Sequence, residues 1–206
     1  MTIRSIVPLL ATLAVGVAAC TGRGGTQKPT GRAALPADVA LAEGLAEDIQ
    51  TDLDTLGWTA ARDKLAQLQA SSAGVKLDSL AAQIGRRDRL GALQSANGVS
   101  RALLAIAADY TLTVPVEVGL LDVAGRDAIY RAEAGEWPGA AAAVAELRAR
   151  YAAVQPHVAA KDPALDGRFA RRLAELEDAV KARNAARVRT VATGLLDDVD
   201  VVERTY

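Results

Sequence analysis

The chain has 206 residues; half of them are apolar, only 3% are aromatic, and 24 basic residues balance 25 acidic ones. The balanced charge argues against nucleic acid as a main partner. A single histidine and a single cysteine exclude the usual zinc sites of nitrogen and sulfur ligands, c-type haem attachment and an intramolecular disulfide.

The N-terminal segment combines a basic start with a short apolar run. Arg4 is its only charge, and the run from Ile6 to Ala19 is shorter than the roughly 20 apolar residues that a membrane-spanning helix needs. Small residues close the run at Val17-Ala18-Ala19-Cys20. A basic start, a short apolar middle and a small-residue end are typical of a secretory signal peptide.

The residues from Val17 to Cys20 resemble the lipobox of bacterial lipoproteins. The resemblance implies that residues 1–19 are removed as a lipoprotein signal peptide and that the sulfur of Cys20 is lipidated, which anchors the chain to a membrane. Thr21 follows the cysteine where an aspartate would imply retention at the inner membrane. By family analogy we expect the outer membrane, facing the periplasm, in a cell with two membranes. In other cells we expect the outer face of the cytoplasmic membrane.

Residues 20–35 are predicted to comprise the lipidated cysteine and a flexible tether. The stretch from Thr21 to Leu35 is rich in glycine, threonine and proline and has no apolar period, so it cannot bury a core. A linker of this length has a root-mean-square reach of roughly 20 Å. Its basic residues Arg23, Lys28 and Arg32 either add attraction to an anionic lipid surface or are solvated linker charges.

Residues 36–206 are predicted to form one all-α domain built from an internal duplication. No segment has the alternating β-branched and aromatic pattern of a strand. When the sequence from Pro36 is placed over the sequence from Pro115 without a gap, the prolines match and so do the chain's only two tryptophans, Trp58 and Trp137. We therefore predict two related halves, at about 36–112 and 115–206.

Each half is predicted to contain three helical segments. The first begins at Pro36 or Pro115, where the missing N–H of proline costs nothing, and it ends at a break beside the tryptophan. The second segments are expected near Thr59–Ser72 and Pro138–Val154, and the third near Leu77–Thr111 and Pro163–Glu203. Such segments can pack as a four-helix-like bundle with broken helices. The tryptophans are expected at helix corners, with a stacking platform for a ligand as the alternative.

The candidate residues for a polar site are Asn97, Asp122 and Arg126. Asn97 shares its helical spacing with Leu93 and Leu104, so we expect it to face the core, where an amide must find hydrogen bonds. It either fixes helix register or binds a ligand between helices. Asp122 and Arg126 have the spacing of an ion pair on one helix. A network joining the three residues is the hypothesis for a structural or ligand-binding polar site.

Two further polar features have simpler interpretations. His157 follows Pro156 and is expected in an exposed loop without a partner. Carboxylates recur near the C-terminus at Asp197, Asp198, Asp200 and Glu203. They predict a solvated acidic face, although acidic residues near a helix C-terminus are unfavourable and suggest a partner such as an arginine.

No pattern in the sequence indicates catalysis or a cofactor, because neither a phosphate-binding glycine loop nor a serine nucleophile elbow is present. We expect a lipid-anchored cell-envelope bundle with a non-enzymatic interaction or assembly role, whose partners are the membrane and an unknown envelope protein. The alternative is a periplasmic small-ligand or metal-binding protein with its site between the two halves. Exposed apolar surface would favour the first function. A pocket where Asn97, Asp122 or Arg126 converge would favour the second.

Overall fold

Eight helices account for most of residues 32–71 and 73–206, which are the residues that the computed structural model describes. The helices are α1 (Ala37–Asp54), α2 (Trp58–Ala70), α3 (Asp78–Arg86), α4 (Arg89–Ala107), α5 (Val116–Glu133), α6 (Trp137–Lys161), α7 (Pro163–Lys181) and α8 (Ala185–Glu203). The predicted all-α helical bundle is confirmed. The predicted signal peptide, Cys20 and most of the tether lie outside the described residues.

The helices form two rings of four. In the first half α1 packs on α2 and α4, and α3 packs on both α2 and α4. In the second half α5 packs on α6 and α8, and α7 packs on both α6 and α8. The halves meet where α4 packs on α5. This order of contacts is the same in both halves, and descent of the halves from an internal duplication stays a prediction.

Small residues bring the central helices close together. A Cβ atom at Gly119 of α5 would lie 2.7 Å from Leu104 Cδ2 of α4, and one at Gly125 would lie 2.7 Å from Leu196 Cδ2 of α8. Such distances are closer than van der Waals contact, so these two glycines let α5 approach both neighbours. The core therefore continues from one half into the other.

The prediction of one long third helix in each half is wrong. The first of these segments is divided into α3 and α4, and the second into α7 and α8. Arg87 and Arg183 adopt left-handed conformations with φ of 56° and 51°. Asp88 then caps α4 by accepting a hydrogen bond from Gly91 N, and Asn184 caps α8 in the same way. The polar runs Gly85 to Arg89 and Arg183-Asn184 interrupt the apolar spacing at the two breaks, and each contains a capping residue, which is common at helix starts.

The predicted loop around His157 is also wrong. Helix α6 continues through Pro156 to Lys161, and His157 is half-buried on it. Its Nε2 lies 3.0 Å from the carbonyl oxygen of Thr205, and its ring stacks on Tyr206 with centroids 3.9 Å apart. A proline is tolerated inside this helix because the carbonyl that it leaves unbonded, on Ala152, sits at an exposed position.

The tryptophans begin the second helix of each half. Trp58 is the first residue of α2 and Trp137 the first of α6, and both are half-buried against the core. The predicted packing at helix corners is confirmed. None of the helices in the described part of the chain combines the length and apolar character required to cross a membrane.

The turns before the tryptophans share one backbone geometry and supply a stability test. Leu56 has φ of 62° and Gly135 has φ of 75° at the equivalent position. Leucine is strained there, and its side chain is 60% exposed. We expect Leu56→Gly to raise the free energy of unfolding by about 0.5–1 kcal/mol, measured by urea denaturation. The reverse change, Gly135→Leu, is the matched control and should lower it. A loss of stability in Leu56→Gly would contradict the strain argument.

Candidate functional site

A small cavity lies where the two halves meet, between α1, α4 and α5. We call it the central cavity. It is lined by Glu43, Glu47 and Gln50 of α1, by Asn97, Ser100 and Leu104 of α4, and by Gly119, Asp122, Val123 and Arg126 of α5. Its volume of about 10 Å³ is the space of a single water molecule. The three residues singled out from the sequence, Asn97, Asp122 and Arg126, therefore all line one cavity.

Asn97 is the most unusual residue of the central cavity. Its side chain is 1% exposed, and its Nδ2 donates hydrogen bonds of 2.9 Å to the carbonyl oxygen of Val123 and 2.9 Å to Asp127 Oδ1. These acceptors fix the orientation of the amide, because a flipped amide would place Oδ1 against two oxygens. Within the described residues, Oδ1 has no hydrogen-bond partner. A buried acceptor without a partner costs about 1–3 kcal/mol.

Asp122 and Arg126 form an ion pair at the same cavity. Arg126 Nη2 donates to Asp122 Oδ2 at 2.7 Å, as the spacing predicts, and lies 3.8 Å from Glu47 Oε1. Asn97 makes its side-chain hydrogen bond to Asp127 rather than to this pair. The three residues are therefore neighbours around the cavity without one continuous hydrogen-bond network, and their role in binding a ligand stays a prediction.

A second set of polar groups supports the cavity wall and was not identified from the sequence. Gln50 is 2% exposed; its Nε2 donates to Ser100 Oγ at 3.2 Å, and Tyr130 Oη donates to its Oε1 at 3.3 Å. The available signal was that Gln50 falls four residues after Ala46 and three before Leu53, on the buried stripe of α1. These groups satisfy one another, so the free acceptor of Asn97 is an exception within this wall.

Carboxylates crowd around the cavity and along the adjacent part of α8. We define the acidic cluster as Glu43, Glu47, Asp122, Asp200 and Glu203. Burial raises the pKa of Glu47 to about 8, although Arg126 lowers it. Burial and then the charge of Asp122 raise the pKa of Glu203 to about 7, and the same two causes raise the pKa values of Glu43 and Asp200. The fold therefore disfavours full ionisation of the acidic cluster.

Arg126 is the cation that counters this cluster. Its side chain is 14% exposed. Burial lowers its pKa, but the charges of Asp122 and Glu47 outweigh burial, so the guanidinium stays charged. Arg204, an exposed residue just beyond α8, also lowers the pKa values of Asp200 and Glu203. Two cations thus face five carboxyl groups, so some of these groups must hold protons if the cluster is to be neutral.

At the opposite end of the central helices, carboxylates and arginines are paired in equal numbers. Arg89 at the start of α4 pairs with Asp54 of α1 at 2.9 Å and with Glu133 of α5 at 3.2 Å. Arg189 of α8 pairs with the same two acids. Two arginines and two carboxylates balance there, and these two arginines lower the pKa of Glu133 despite its partial burial. The raised pKa values of the acidic cluster are therefore a local property of the cavity region.

The C-terminal carboxylates do not form the predicted solvated face. Asp198 is 3% exposed and accepts hydrogen bonds from Arg168 Nε at 2.7 Å and Arg172 Nη1 at 2.5 Å. This agrees with the suggested arginine partner. Asp200 and Glu203 are partly buried in the acidic cluster, and Asp197 alone is exposed. The prediction failed because Asp198 faces the two arginines of α7, and Asp200 and Glu203 are only partly exposed to water.

A larger depression of about 450 Å³ lies elsewhere, between residues 74–76 and α4. It is open and mostly apolar; its polar members are Lys76, which is exposed, and Ser95, which is already hydrogen bonded to Ser79 at 3.0 Å. It has none of the converging polar groups that mark a specific ligand site. The central cavity is therefore the stronger candidate.

The geometry limits the chemistry of the candidate site. In residues 32–71 and 73–206 no three histidine, cysteine, aspartate or glutamate side chains are arranged to hold a metal ion. The fold and the cavity define an all-α bundle with a buried polar cavity at the junction of its halves. Comparison with protein-family models, curated proteins and solved structures finds no match for this chain.

Proposed function

We propose that this protein is a lipid-anchored cell-envelope protein that binds a small polar ligand at the central cavity, with only one polar group of the ligand inside it, and that it does not catalyse a reaction. The observation that carries the ligand-binding part is the buried Asn97 Oδ1, which has no partner within the described residues. A ligand that donates a hydrogen bond to this atom would remove the free-energy cost of leaving it unpaired. The lipid anchor is inferred from the resemblance of Val17–Cys20 to a lipobox.

An interaction or assembly role has less support from the surface. Among the described residues, the large hydrophobic side chains that are exposed are Leu41, Leu56 and Tyr206. Leu41 and Leu56 lie 15 residues apart on and after α1, so they do not form one patch on that helix. Single exposed hydrophobic residues are normal on a monomeric protein. We therefore favour ligand binding over assembly as the function of this bundle.

The anchor is tested by replacing its cysteine. We expect Cys20→Ser to abolish incorporation of labelled fatty acid, because the sulfur that accepts the lipid is absent. Thr21→Ser is the matched control, since it keeps the cysteine and should be labelled like the unchanged protein. The measurement is autoradiography of the protein after growth with labelled palmitate. Equal labelling of Cys20→Ser would contradict the anchor.

The ligand site is tested by native mass spectrometry of the full chain, purified from membranes in a mild detergent. We expect a bound mass that disappears on denaturation and that is absent from Asn97→Ala. The matched control is Gln94→Ala on the same helix, whose amide nitrogen is also unpaired but which does not line the cavity. This control should keep the bound mass.

Asn97→Ala also removes the hydrogen bonds to Val123 and Asp127, so its folding is verified by circular dichroism. Glu43→Gln, which is nearly isosteric, serves as a second cavity variant. A bare mass for the unchanged protein, or a bound mass that persists in both cavity variants, would contradict binding at this cavity.

A further inference from the structure

We propose that the end of the bundle opposite the tether contacts the anionic lipid surface of the membrane that holds Cys20. We call this region the distal end and define it as residues 55–57, 86–88, 134–136 and 182–187, where α1 meets α2, α3 meets α4, α5 meets α6 and α7 meets α8. The inference rests on the lipid anchor of the proposed function. It is carried by the backbone, the exposed side chains and the charge of these four turns.

Ion pairs place the four turns together at one end of the bundle. Arg89 begins α4 and Arg189 lies in the second turn of α8, and both pair with Asp54 and Glu133. These two acids are the last residues of α1 and α5. The described chain begins at the other end, which we call the entry end, where the segment before α1 is hydrogen bonded to the turn after α4.

The backbone of the distal end is unusual for the residues that occupy it. In residues 32–71 and 73–206, the non-glycine residues with positive φ are Leu56, Arg87 and Arg183, at 62°, 56° and 51°, and all three lie at the distal end. Gly135 has a positive φ in the remaining turn. Glycine adopts this conformation without the steric cost that a side chain brings. The chain therefore keeps three side chains at positions where folding alone favours glycine.

The three side chains at these strained positions are exposed. Leu56 is 60% exposed, and Arg87 and Arg183 are also exposed to solvent. A leucine in water gains little from packing, and its backbone is strained as well. Lipid contact accounts for both features, because at a bilayer surface an apolar side chain enters the acyl region while guanidinium groups remain among the headgroups.

The charge of the distal end favours an anionic lipid surface. Arg87, Arg183 and Arg187 are exposed, and they have no ion-pair partner among the described residues. Glu136 is already paired with an arginine of α5 at 3.0 Å. The remaining exposed carboxylate of these turns is Asp88, which caps α4. The distal end therefore has a positive excess, and each basic residue near an anionic surface strengthens binding roughly fivefold.

The tether is long enough for the distal end to reach the anchoring membrane. The chain from Cys20 to Arg32 spans at most about 40 Å when fully extended. Helix α1, which runs from the entry end to the distal end, has 18 residues and a length of about 27 Å. The tether also raises the effective concentration of the distal end at the lipid surface, so a contact made by a few side chains is sufficient.

The chain's only two tryptophans report on this contact, because Trp58 and Trp137 both begin helices at the distal end. The test is quenching of their fluorescence by brominated acyl chains after the lipidated full chain is reconstituted in vesicles. We expect strong quenching when the vesicles contain phosphatidylglycerol. We expect little quenching in phosphatidylcholine alone, or at about 1 M salt, where exposed charges are screened. Absence of quenching in the anionic vesicles would overturn the proposal.

Arginine variants test the charge of the contact. Arg87→Gln combined with Arg183→Gln should lower the equilibrium constant for lipid contact roughly 25-fold. The matched control is Lys76→Gln combined with Lys161→Gln, which removes two exposed cations near the entry end and should leave the quenching unchanged. Quenching that is insensitive to the arginine pair would overturn the assignment of the contact to the distal end.

A leucine variant tests the apolar part of the contact. Leu56→Gly should lower the equilibrium constant about tenfold, because no apolar side chain enters the lipid. The same variant is expected to be more stable than the unchanged protein, so unfolding cannot be the cause of the weaker contact. Leu41→Ala is the control, since Leu41 is equally exposed but lies near the start of α1. Unchanged contact in Leu56→Gly would overturn insertion of this leucine.

The failure of this inference can be distinguished from the failure of the proposed anchor. If Cys20 carries no lipid, the full chain is added to preformed anionic vesicles. Quenching that needs Arg87 and Arg183 would then overturn the anchor and leave the lipid contact standing, whereas no quenching would overturn both. Aggregation of vesicles that carry the lipidated chain would show contact with a second bilayer and overturn contact with the anchoring membrane. Quenching that needs both arginines, without aggregation, supports the proposal.

Discussion

Replacing Asp198 by alanine is expected to lower the free energy of unfolding by about 3 kcal/mol. Asp198 is 3% exposed on α8, and its two carboxylate oxygens accept from Arg168 and Arg172 of α7. Without it, two guanidinium groups remain beside each other with no acid between them. Because both arginines keep about a third of their side-chain exposure, water reduces the loss toward the lower end of the range for broken buried pairs.

The neighbouring residue supplies the control for this prediction. Asp197→Ala removes an exposed carboxylate from the same turn of α8 and should change stability by no more than about 0.5 kcal/mol. The measurement is urea denaturation followed by far-ultraviolet circular dichroism. Similar losses for the two variants would show that the Asp198 pairs contribute little to holding α7 against α8.

Replacing Arg126 by methionine is expected to have a large effect that depends on pH. The guanidinium is 14% exposed and counters Asp122 and Glu47, so its removal leaves buried carboxylates without a cation. We expect a loss of about 3 kcal/mol at about pH 8. The loss should shrink toward pH 5, where the carboxyl groups that the fold has made weakly acidic are protonated and need no cation.

The sign of the pH dependence follows from the raised pKa values. In the folded chain the pKa of Glu47 is about 8 and that of Glu203 about 7, above the ordinary value of 4.5. The folded state therefore holds protons that the unfolded state releases. Their contribution to stability is complete below about pH 4.5 and is lost as the pH rises through 7 and 8. The unchanged protein should thus become less stable over this interval, and Arg126→Met should do so more steeply.

Urea midpoints between about pH 5 and about pH 9 measure this dependence. Arg131→Met is the control on the same helix, because Arg131 forms a surface pair with Glu136 and its side chain is 39% exposed. It should cost no more than about 1 kcal/mol at any of these pH values. A loss in Arg126→Met that is independent of pH would indicate a packing role for the side chain instead of a charge role.

The helical segments were predictable to the extent that they follow from local pattern. The three- and four-residue spacing of Leu41, Leu45, Ile49, Leu53 and Leu56 predicts one apolar helix face. The middle three residues are buried, whereas Leu41 and Leu56 are each 60% exposed. Proline at the start and a break at the tryptophan were also visible. The breaks at Arg87 and Arg183 were not predicted. A helix commonly ends at a residue in the left-handed conformation, and that residue is usually glycine and rarely arginine.

The candidate site was partly predictable because some of its residues follow from local helical spacing. Asn97 could be placed on a core-facing position by its spacing from leucines, and Asp122 with Arg126 by their separation of four residues on one helix. Glu43, Glu47 and Gln50 were missed. Whether a polar residue on α1 meets solvent or another helix depends on how α1 packs against α4 and α5, and no local pattern records that packing.

Local sequence pattern is enough to derive the helical class, most of the apolar helix faces, the corner positions of the two tryptophans and the Asp122–Arg126 pair. Each of these depends on residues a few positions apart, which helical geometry brings together wherever the helix lies. Three features depend on tertiary packing: Asn97 keeps one free acceptor, Asp198 is enclosed by two arginines, and carboxylates from α1, α5 and α8 raise one another's pKa values. Burial and charge compensation depend on groups far apart in the chain, because the dielectric environment of a side chain is created by the helices packed around it.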